Sequence, residues 1–125
     1  MADILARTTA DAAHRETVQV TDRDVVQALT LKLGTRLVCF AVGKDKSTIS
    51  RWKSGETPLP IESAQALRTI YQVFRLLESS ESDHTIRAWF IGMNPQLDDE
   101  SPLEAVQQGR FKEVMAAARA FLAGG

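Results

Sequence analysis

Short hydroxyl side chains and long cations alternate between residues 44 and 53, in the run KDKSTISRWK. Ile49 and Trp52 are its apolar members, and at helical spacing they face inward together. The polar residues then point outward, where hydroxyl, ammonium and guanidinium groups can hydrogen-bond base edges and phosphates. With one upstream cation added, the candidate DNA contacts are Arg36, Lys44, Lys46, Ser47, Thr48, Ser50, Arg51 and Lys53.

Positive charge is concentrated on this same part of the chain. The 125 residues carry a formal net charge of −1, which argues against nucleic-acid binding by the whole surface. Residues 34–53, however, contain five Lys or Arg against Asp45 alone, whereas residues 54–125 are acidic overall. A local cationic patch can bind phosphate while the remainder of the protein contacts another partner.

Catalytic chemistry finds little support in the sequence. His14 and His84 are far apart in the chain, and Cys39 has no obvious base near it, so we expect a buried structural cysteine. No group of His, Cys and carboxylates has metal-ligand spacing. The acidic residues 98–100 could hold a cation but are more typical of a solvated turn. We therefore predict a protein that is not an enzyme and has no cofactor or metal.

Two short helices joined by a tight turn must position the candidate DNA contacts. Val38 and Val42 give the first helix an apolar face, Gly43 ends it, and Asp45 can cap the second helix, which Gly55 ends. This stretch, residues 35–60, resembles the helix-turn-helix of the phage-repressor-like Xre type. The resemblance places Arg36 near a DNA phosphate, with a purely solvated Arg36 as an equal alternative.

The remaining patterns are also helical, so the predicted fold class is all-α. Thr21-Asp22-Arg23-Asp24 has the form of a capping box, and Ser82 and Ser101 can cap later helices. The apolar surface of residues 61–77 is wide enough to pack on both sides, which favours a central helix between two lobes over a dimer interface alone. Residues 1–20 have no consistent period and are predicted to form a frayed arm.

A second resemblance covers residues 89–121. Trp89, Asn94-Pro95-x-Leu97, Ser101-Pro102-Leu103-Glu104 and Gly109 together resemble the carboxy-terminal domain of the Xre/MbcA/ParS antitoxins. Those antitoxins have the same order of parts, a helix-turn-helix lobe followed by a small helical toxin-binding lobe. One departure is the loop at residues 98–100, where relatives tend to place a glycine.

The resemblance implies three regions and a function. Residues 1–20 are an amino-terminal arm, residues 21–77 a helix-turn-helix DNA-binding domain, and residues 78–125 a toxin-binding domain packed on it. The protein would be a type II antitoxin that blocks the active site of a RES-domain, NAD-consuming toxin and represses its own operon by binding operator DNA. The implied assembly is a homodimer within a larger toxin–antitoxin complex. The toxin-binding candidates are Asn94, Pro95, Leu97, Leu103, Arg110, Phe111, Lys112, Arg119 and Phe121.

Other interpretations remain open at this stage. Arg110, Lys112 and Arg119 suit an anion-binding pocket, although a solvated surface position is the commoner role for each such cation. Phe121 is either an interface anchor or the last core residue, with equal weight. The main alternative function is a stand-alone Xre-type repressor or DNA-partitioning adaptor whose carboxy-terminal lobe only dimerises.

Composition limits the cellular setting. A single cysteine excludes an intramolecular disulfide and fits a reducing compartment. Charged residues interrupt the first sixteen residues, MADILARTTADAAHRE, so no signal peptide is expected, and no apolar stretch approaches membrane-spanning length. We therefore predict a cytoplasmic protein with no membrane partner.

Overall fold

The structure is a computed structural model that describes residues 20–124, and all regular secondary structure in that range is helical. This confirms the predicted all-α class. The elements are α1 (Asp22–Lys32), α2 (Thr35–Val42), α3 (Lys46–Ser54), α4 (Ile61–Leu77), α5 (Asp83–Ile91), a 3-10 turn (Pro95–Leu97), α6 (Pro102–Gln107) and α7 (Phe111–Leu122). The predicted arm, apart from Val20, lies outside the described residues.

Four of the helices begin after the cap residues that the sequence predicts, and each cap side chain accepts a local hydrogen bond. Thr21 and Asp24 form the capping box of α1, each side chain accepting from the other's backbone N–H. Asp45, Ser82 and Ser101 accept from the N–H groups of Thr48, Thr85 and Glu104, which caps α3, α5 and α6. Each cap satisfies a helix-end donor that would otherwise be unpaired.

Two glycines end the short helices at the positions predicted for them. Gly43 follows α2 with φ 67°, and Gly55 follows α3 with φ 80°. A side chain rarely adopts this left-handed conformation, whereas glycine does so without steric strain. The two short helices are therefore defined at both ends by local chemistry.

The long helix α4 lies at the centre of the bundle, as its wide apolar surface predicts. It contacts α1 and α2 as well as α6 and α7. Leu67, Ile70, Val73, Phe74 and Leu77 of α4 are all fully enclosed. Because apolar residues of every α-helix contribute buried side chains to one continuous cluster, the described chain shares a single core.

Polar contacts also join the first four helices to the last three. Lys32 at the end of α1 pairs with Glu78 at 2.5 Å, and the Arg87 guanidinium donates to the Lys32 carbonyl at 3.0 Å. Gln107 of α6 donates to the Phe40 carbonyl of α2 at 2.9 Å. The segment after Leu77 is thus tied to the preceding helices along its length.

The end of α5 separates Met93 from the apolar residues of that helix. Met93 lies at helical spacing from Ile86, Trp89 and Phe90, but α5 ends at Ile91. Met93 is instead 82% exposed and Trp89 is half-buried, while Ile86 and Phe90 are enclosed. The Gly92 backbone is extended, with ψ 156°, and turns the chain away from the helix axis before Met93.

None of the helices found between residues 20 and 124 is both long enough and apolar enough to cross a membrane.

Candidate functional surfaces

The first candidate surface is the outward side of α3 together with the residues that flank it. Ile49 and Trp52 anchor α3, with 1% and 3% of their surfaces exposed. All of the predicted DNA contacts are exposed except Thr48, which is half-buried. The sequence prediction of which side chains face inward and which face outward on α3 is therefore confirmed.

Helix α1 holds the carboxyl end of α3 in place. The Nε of Arg23 and the Nε2 of Gln27 each donate to the Lys53 carbonyl oxygen at 3.1 Å. Arg23 also packs beside Gly55, where an added Cβ would lie 3.4 Å from its Cδ. Neither donor was identified from the sequence, because both act across 26 or more residues of chain. They fix the position of the end of α3 against α1.

The carboxylate of Asp45 caps the amino end of α3. The Asp45 side chain accepts from the Thr48 N–H at 2.9 Å and from the Ser47 hydroxyl at 3.2 Å. Hydrogen bonds from the Thr48 hydroxyl and N–H lower the pKa of Asp45 below its usual value, so it is ionised at neutral pH. The surrounding Lys and Arg still leave this surface with a net positive charge.

The second candidate surface is a groove of mixed polarity, with aromatic side chains in its walls, between the end of α5 and α7. It has a volume of about 290 Å³ and is lined by Trp89, Met93, Asn94, Pro95, Gln96, Ala117 and Phe121. The ring centroids of Trp89 and Phe121 lie 6.3 Å apart, and the ring planes are inclined at 57°. Phe90 contacts Trp89 edge-on at 5.2 Å and so links this wall of the groove to the core.

Asn94 shapes the turn beside the groove. Its side-chain oxygen accepts from the Gln96 N–H at 2.9 Å, and its carbonyl accepts from the Asp99 N–H at 3.0 Å. Its own N–H donates to the Glu100 carbonyl at 3.1 Å. Asp98 and Asp99 consequently have φ values of 57° and 66°, in the region that glycine adopts most readily. Aspartate tolerates that conformation better than most other residues.

Arg110 is surrounded by carboxylates. Its guanidinium lies 3.2 Å from Asp98, 3.5 Å from Glu100 and 2.5 Å from Glu113. Its hydrogen bond to Glu113 raises the pKa of Arg110 above its usual value and lowers the pKa of Glu113. The Arg110 charge is therefore paired within the chain, and its predicted contact with a toxin stays a prediction.

No family model, curated protein or solved structure matches this chain.

The other toxin-binding candidates are distributed unevenly. Asn94, Pro95 and Phe121 meet at the groove, and Lys112 and Arg119 are exposed on α7. Leu97 and Leu103 are 0% and 1% exposed, so the structure contradicts a direct contact with a partner, and their role is core packing. Phe111 is half-buried and lines a separate cleft of about 340 Å³ between α2, α4 and α6.

Four residues that line the groove are missing from the sequence-based set of partner contacts: Trp89, Met93, Gln96 and Ala117. The helical spacing of Met93 from Trp89 is typical of a core position, but the helix ends before Met93, with Gly92 as its C-cap. Trp89 packs on the core, but half-burial leaves part of its ring at the groove.

The side chains of the two surfaces suit two different kinds of binding. In the range 20–124, no three His, Cys, Asp or Glu side chains are arranged to hold a metal ion. Cys39 is a free thiol that is half-buried against the core, less enclosed than the sequence suggested. Cations and hydroxyls on α3 can bind a polyanion, whereas exposed aromatic and thioether groups at the groove can bury apolar surface.

Proposed function

We propose that this protein is a type II antitoxin with two working surfaces. In this proposal, α1 to α4 form an Xre-type helix-turn-helix bundle that binds operator DNA through α3. The segment after Leu77 forms the toxin-binding lobe and inhibits a RES-domain, NAD-consuming toxin by covering its active site. Binding of both partners would couple toxin inhibition to repression of the operon. The protein would work in the cytoplasm as a homodimer within a larger complex.

The observation that carries the proposal is the presence of two chemically different surfaces on one shared core. The α3 surface is cationic and rich in hydroxyls, as phosphate and base contacts require. The groove contains Trp89 and Phe121, residue types enriched at the centres of protein interfaces. A protein that binds only DNA has no need for a groove with exposed aromatic side chains formed by a different set of helices.

Support for DNA reading by α3 comes from how firmly it is held. Asp45 caps its amino end, two α1 side chains donate to the Lys53 carbonyl near its carboxyl end, and Trp52 is buried beneath it. A helix fixed at both ends presents its cations in one arrangement, which lowers the entropy lost when it binds a groove. This rigidity favours specific contacts over loose attraction to phosphate.

The main alternative is a stand-alone repressor or partitioning adaptor in which the carboxy-terminal lobe only dimerises. It is favoured by the same groove, because an exposed apolar surface also serves contacts between two copies of a chain. The two functions differ in whether inhibition of a neighbouring gene product depends on this protein.

Co-expression with the adjacent open reading frame separates the two functions. For the antitoxin, the neighbour alone arrests growth, the pair restores growth, and the two proteins co-purify. A Lys46→Ala/Arg51→Ala double variant serves as a control that should still restore growth, because it alters only the DNA surface. A neighbour that is harmless alone and forms no complex would exclude the antitoxin function and leave the repressor.

A further inference from the structure

The groove lies beside an acidic surface along α7. Glu113, Ala117 and Phe121 follow one another at four-residue spacing, so they lie on neighbouring parts of one side of this helix. Ala117 and Phe121 line the groove, while Glu113 pairs with Arg110 beside the loop of residues 98–100. A molecule lying along α7 therefore meets apolar side chains first and carboxylates next.

Carboxylates outnumber cations at the acidic end. Asp98, Glu100 and Glu113 all approach the one guanidinium of Arg110, and Asp99 is exposed on the same loop. Backbone hydrogen bonds to Asn94 hold this loop next to the groove wall. The carboxylates of residues 98–100 thus have a fixed position relative to the groove. One bound segment could contact both surfaces.

We infer that the groove binds a partner segment that carries an aromatic or long aliphatic anchor followed by Lys or Arg. The anchor fills the space between Trp89, Met93 and Phe121, and the cations lie over residues 98–100. This inference rests on the proposed function, in which the lobe after Leu77 binds a toxin, and it assigns the chemistry of the toxin segment. Apolar burial supplies affinity, while charge complementarity supplies orientation and association rate.

The charges of this chain disfavour the two occupants that it could supply itself. Residues 1–19 contain Asp3, Asp11 and Glu16 against Arg7 and Arg15, so they are slightly acidic and would not complement the loop. A second copy paired groove to groove about a two-fold axis parallel to α7 would place the two acidic loops near one another. A basic segment from a different protein avoids both conflicts.

Matched peptides test this inference without any toxin. Two short synthetic peptides share a central Trp-Leu pair, one with Lys on both sides and the other with Glu. Each is titrated into the full chain while the indole N–H and methionine methyl signals are followed by NMR. We expect the Lys peptide to shift the Trp89 and Met93 signals and to bind roughly tenfold or more tightly than the Glu peptide, with an advantage that shrinks as NaCl is raised.

Surface variants with matched controls locate the binding site. Met93→Gln and Asp99→Asn should each weaken the Lys peptide several-fold. Leu31→Gln changes an equally exposed apolar residue on α1, at 85% exposure, and Glu81→Gln removes a charge before α5, so both should bind as the parent does. Neither Met93 nor Asp99 makes a core contact, and circular dichroism checks that each variant remains folded.

Three results would overturn the inference. The first is equal binding of the two peptides, and the second is the absence of shifts in the Trp89 and Met93 signals. The third is a homodimer that Met93→Gln dissociates in sedimentation runs, because that result would identify a second copy as the occupant. Each leaves the growth-arrest test of the antitoxin function unaffected. Conversely, a harmless neighbouring gene excludes the antitoxin function while the peptide result still stands for a basic protein partner.

Discussion

The ring of Phe74 in α4 stacks on the ring of Phe90 in α5, with centroids 5.6 Å apart and planes inclined at 20°. Both side chains are almost completely enclosed. The pair joins the helix that ends the predicted DNA-binding region to the helix that begins the predicted toxin-binding region. Packing across this boundary has the character of a domain interior, so the two regions should gain and lose their structure together.

Replacement of Phe90 by Ala tests that coupling. Removal of an enclosed aromatic ring should lower the free energy of unfolding by about 3–5 kcal/mol. The two tryptophans provide separate reporters, because Trp52 belongs to α3 and Trp89 to α5. In urea titrations of Trp52→Phe and Trp89→Phe backgrounds, the midpoint should fall by the same amount whichever tryptophan remains.

Phe40→Ala is the matched control, since Phe40 is 45% exposed and should lose much less stability. Two separate transitions, with the Trp52 signal unchanged by Phe90→Ala, would show that the regions unfold independently.

Truncation after Gly109 tests the contribution of α7. The deletion removes three enclosed residues, Val114, Ala117 and Ala118, and uncovers the side of α4 on which α7 packs. We expect loss of the cooperative thermal transition and increased dye binding to exposed apolar surface. Truncation after Phe121 is the control, because Leu122 to Gly124 are exposed and their loss should leave the transition in place. A cooperative transition in the Gly109 truncation would show that α1 to α6 fold without α7.

Features that depend on a few neighbouring residues were predictable from the sequence. The caps at Thr21, Asp45, Ser82 and Ser101 were predictable because a short polar side chain bonds an N–H two or three positions ahead. The inward positions of Ile49 and Trp52 followed from helical spacing, and the central position of α4 followed from its apolar width. These arguments need no knowledge of which distant segments meet.

Features that depend on distant segments were not predictable in the same way. Leu97 and Leu103 look like any other apolar residues of a short loop or helix, yet both are enclosed by helices far along the chain. The pairing of Arg110 with Asp98 depends on a turn with two consecutive positive φ values. Exposure of Met93 depends on where α5 stops, and helix ends are the least certain part of periodicity arguments.

Substitution of α3 cations tests the proposed DNA surface. Ser50→Ala removes a base-edge candidate, and loss of a base contact should cost about 1–3 kcal/mol on the preferred sequence only. Lys46→Ala or Arg51→Ala, if either residue binds phosphate, should weaken binding to all sequences and reduce the salt dependence by about 0.9 in log–log slope. Fluorescence anisotropy with upstream DNA from the operon, repeated over several salt concentrations, measures both effects.

Lys112→Ala is the control for charge alone, because Lys112 is exposed on α7, far along the chain from α3. The Lys112→Ala variant should have the same DNA affinity and the same salt dependence of binding as the parent. If each of the three single variants, Ser50→Ala, Lys46→Ala and Arg51→Ala, bound DNA as the parent does, α3 would be excluded as the DNA-reading element.

Acid should weaken the start of α3 through Asp45. Hydrogen bonds from Thr48 hold the pKa of Asp45 below its usual value, so the folded state favours the ionised carboxylate. Because the folded pKa is the lower one, this contribution is fully present above the unfolded pKa of about 3.9 and disappears as pH falls through the folded value. Asp45→Asn keeps an amide oxygen that can cap the helix at any pH, but it lacks the negative charge that strengthens the hydrogen bonds from Thr48, so it should be less stable than the parent at neutral pH.

The free energy of unfolding of the parent should therefore fall more steeply below about pH 4 than that of Asp45→Asn, and the two curves should converge toward acid. Asp45→Ala lacks any cap and should be the least stable of the three at neutral pH. Urea titrations at closely spaced pH values, followed through Trp52, provide the comparison. Curves for the parent and Asp45→Asn that stay parallel through this range would mean that the Asp45 carboxylate does not stabilise α3 through its charge.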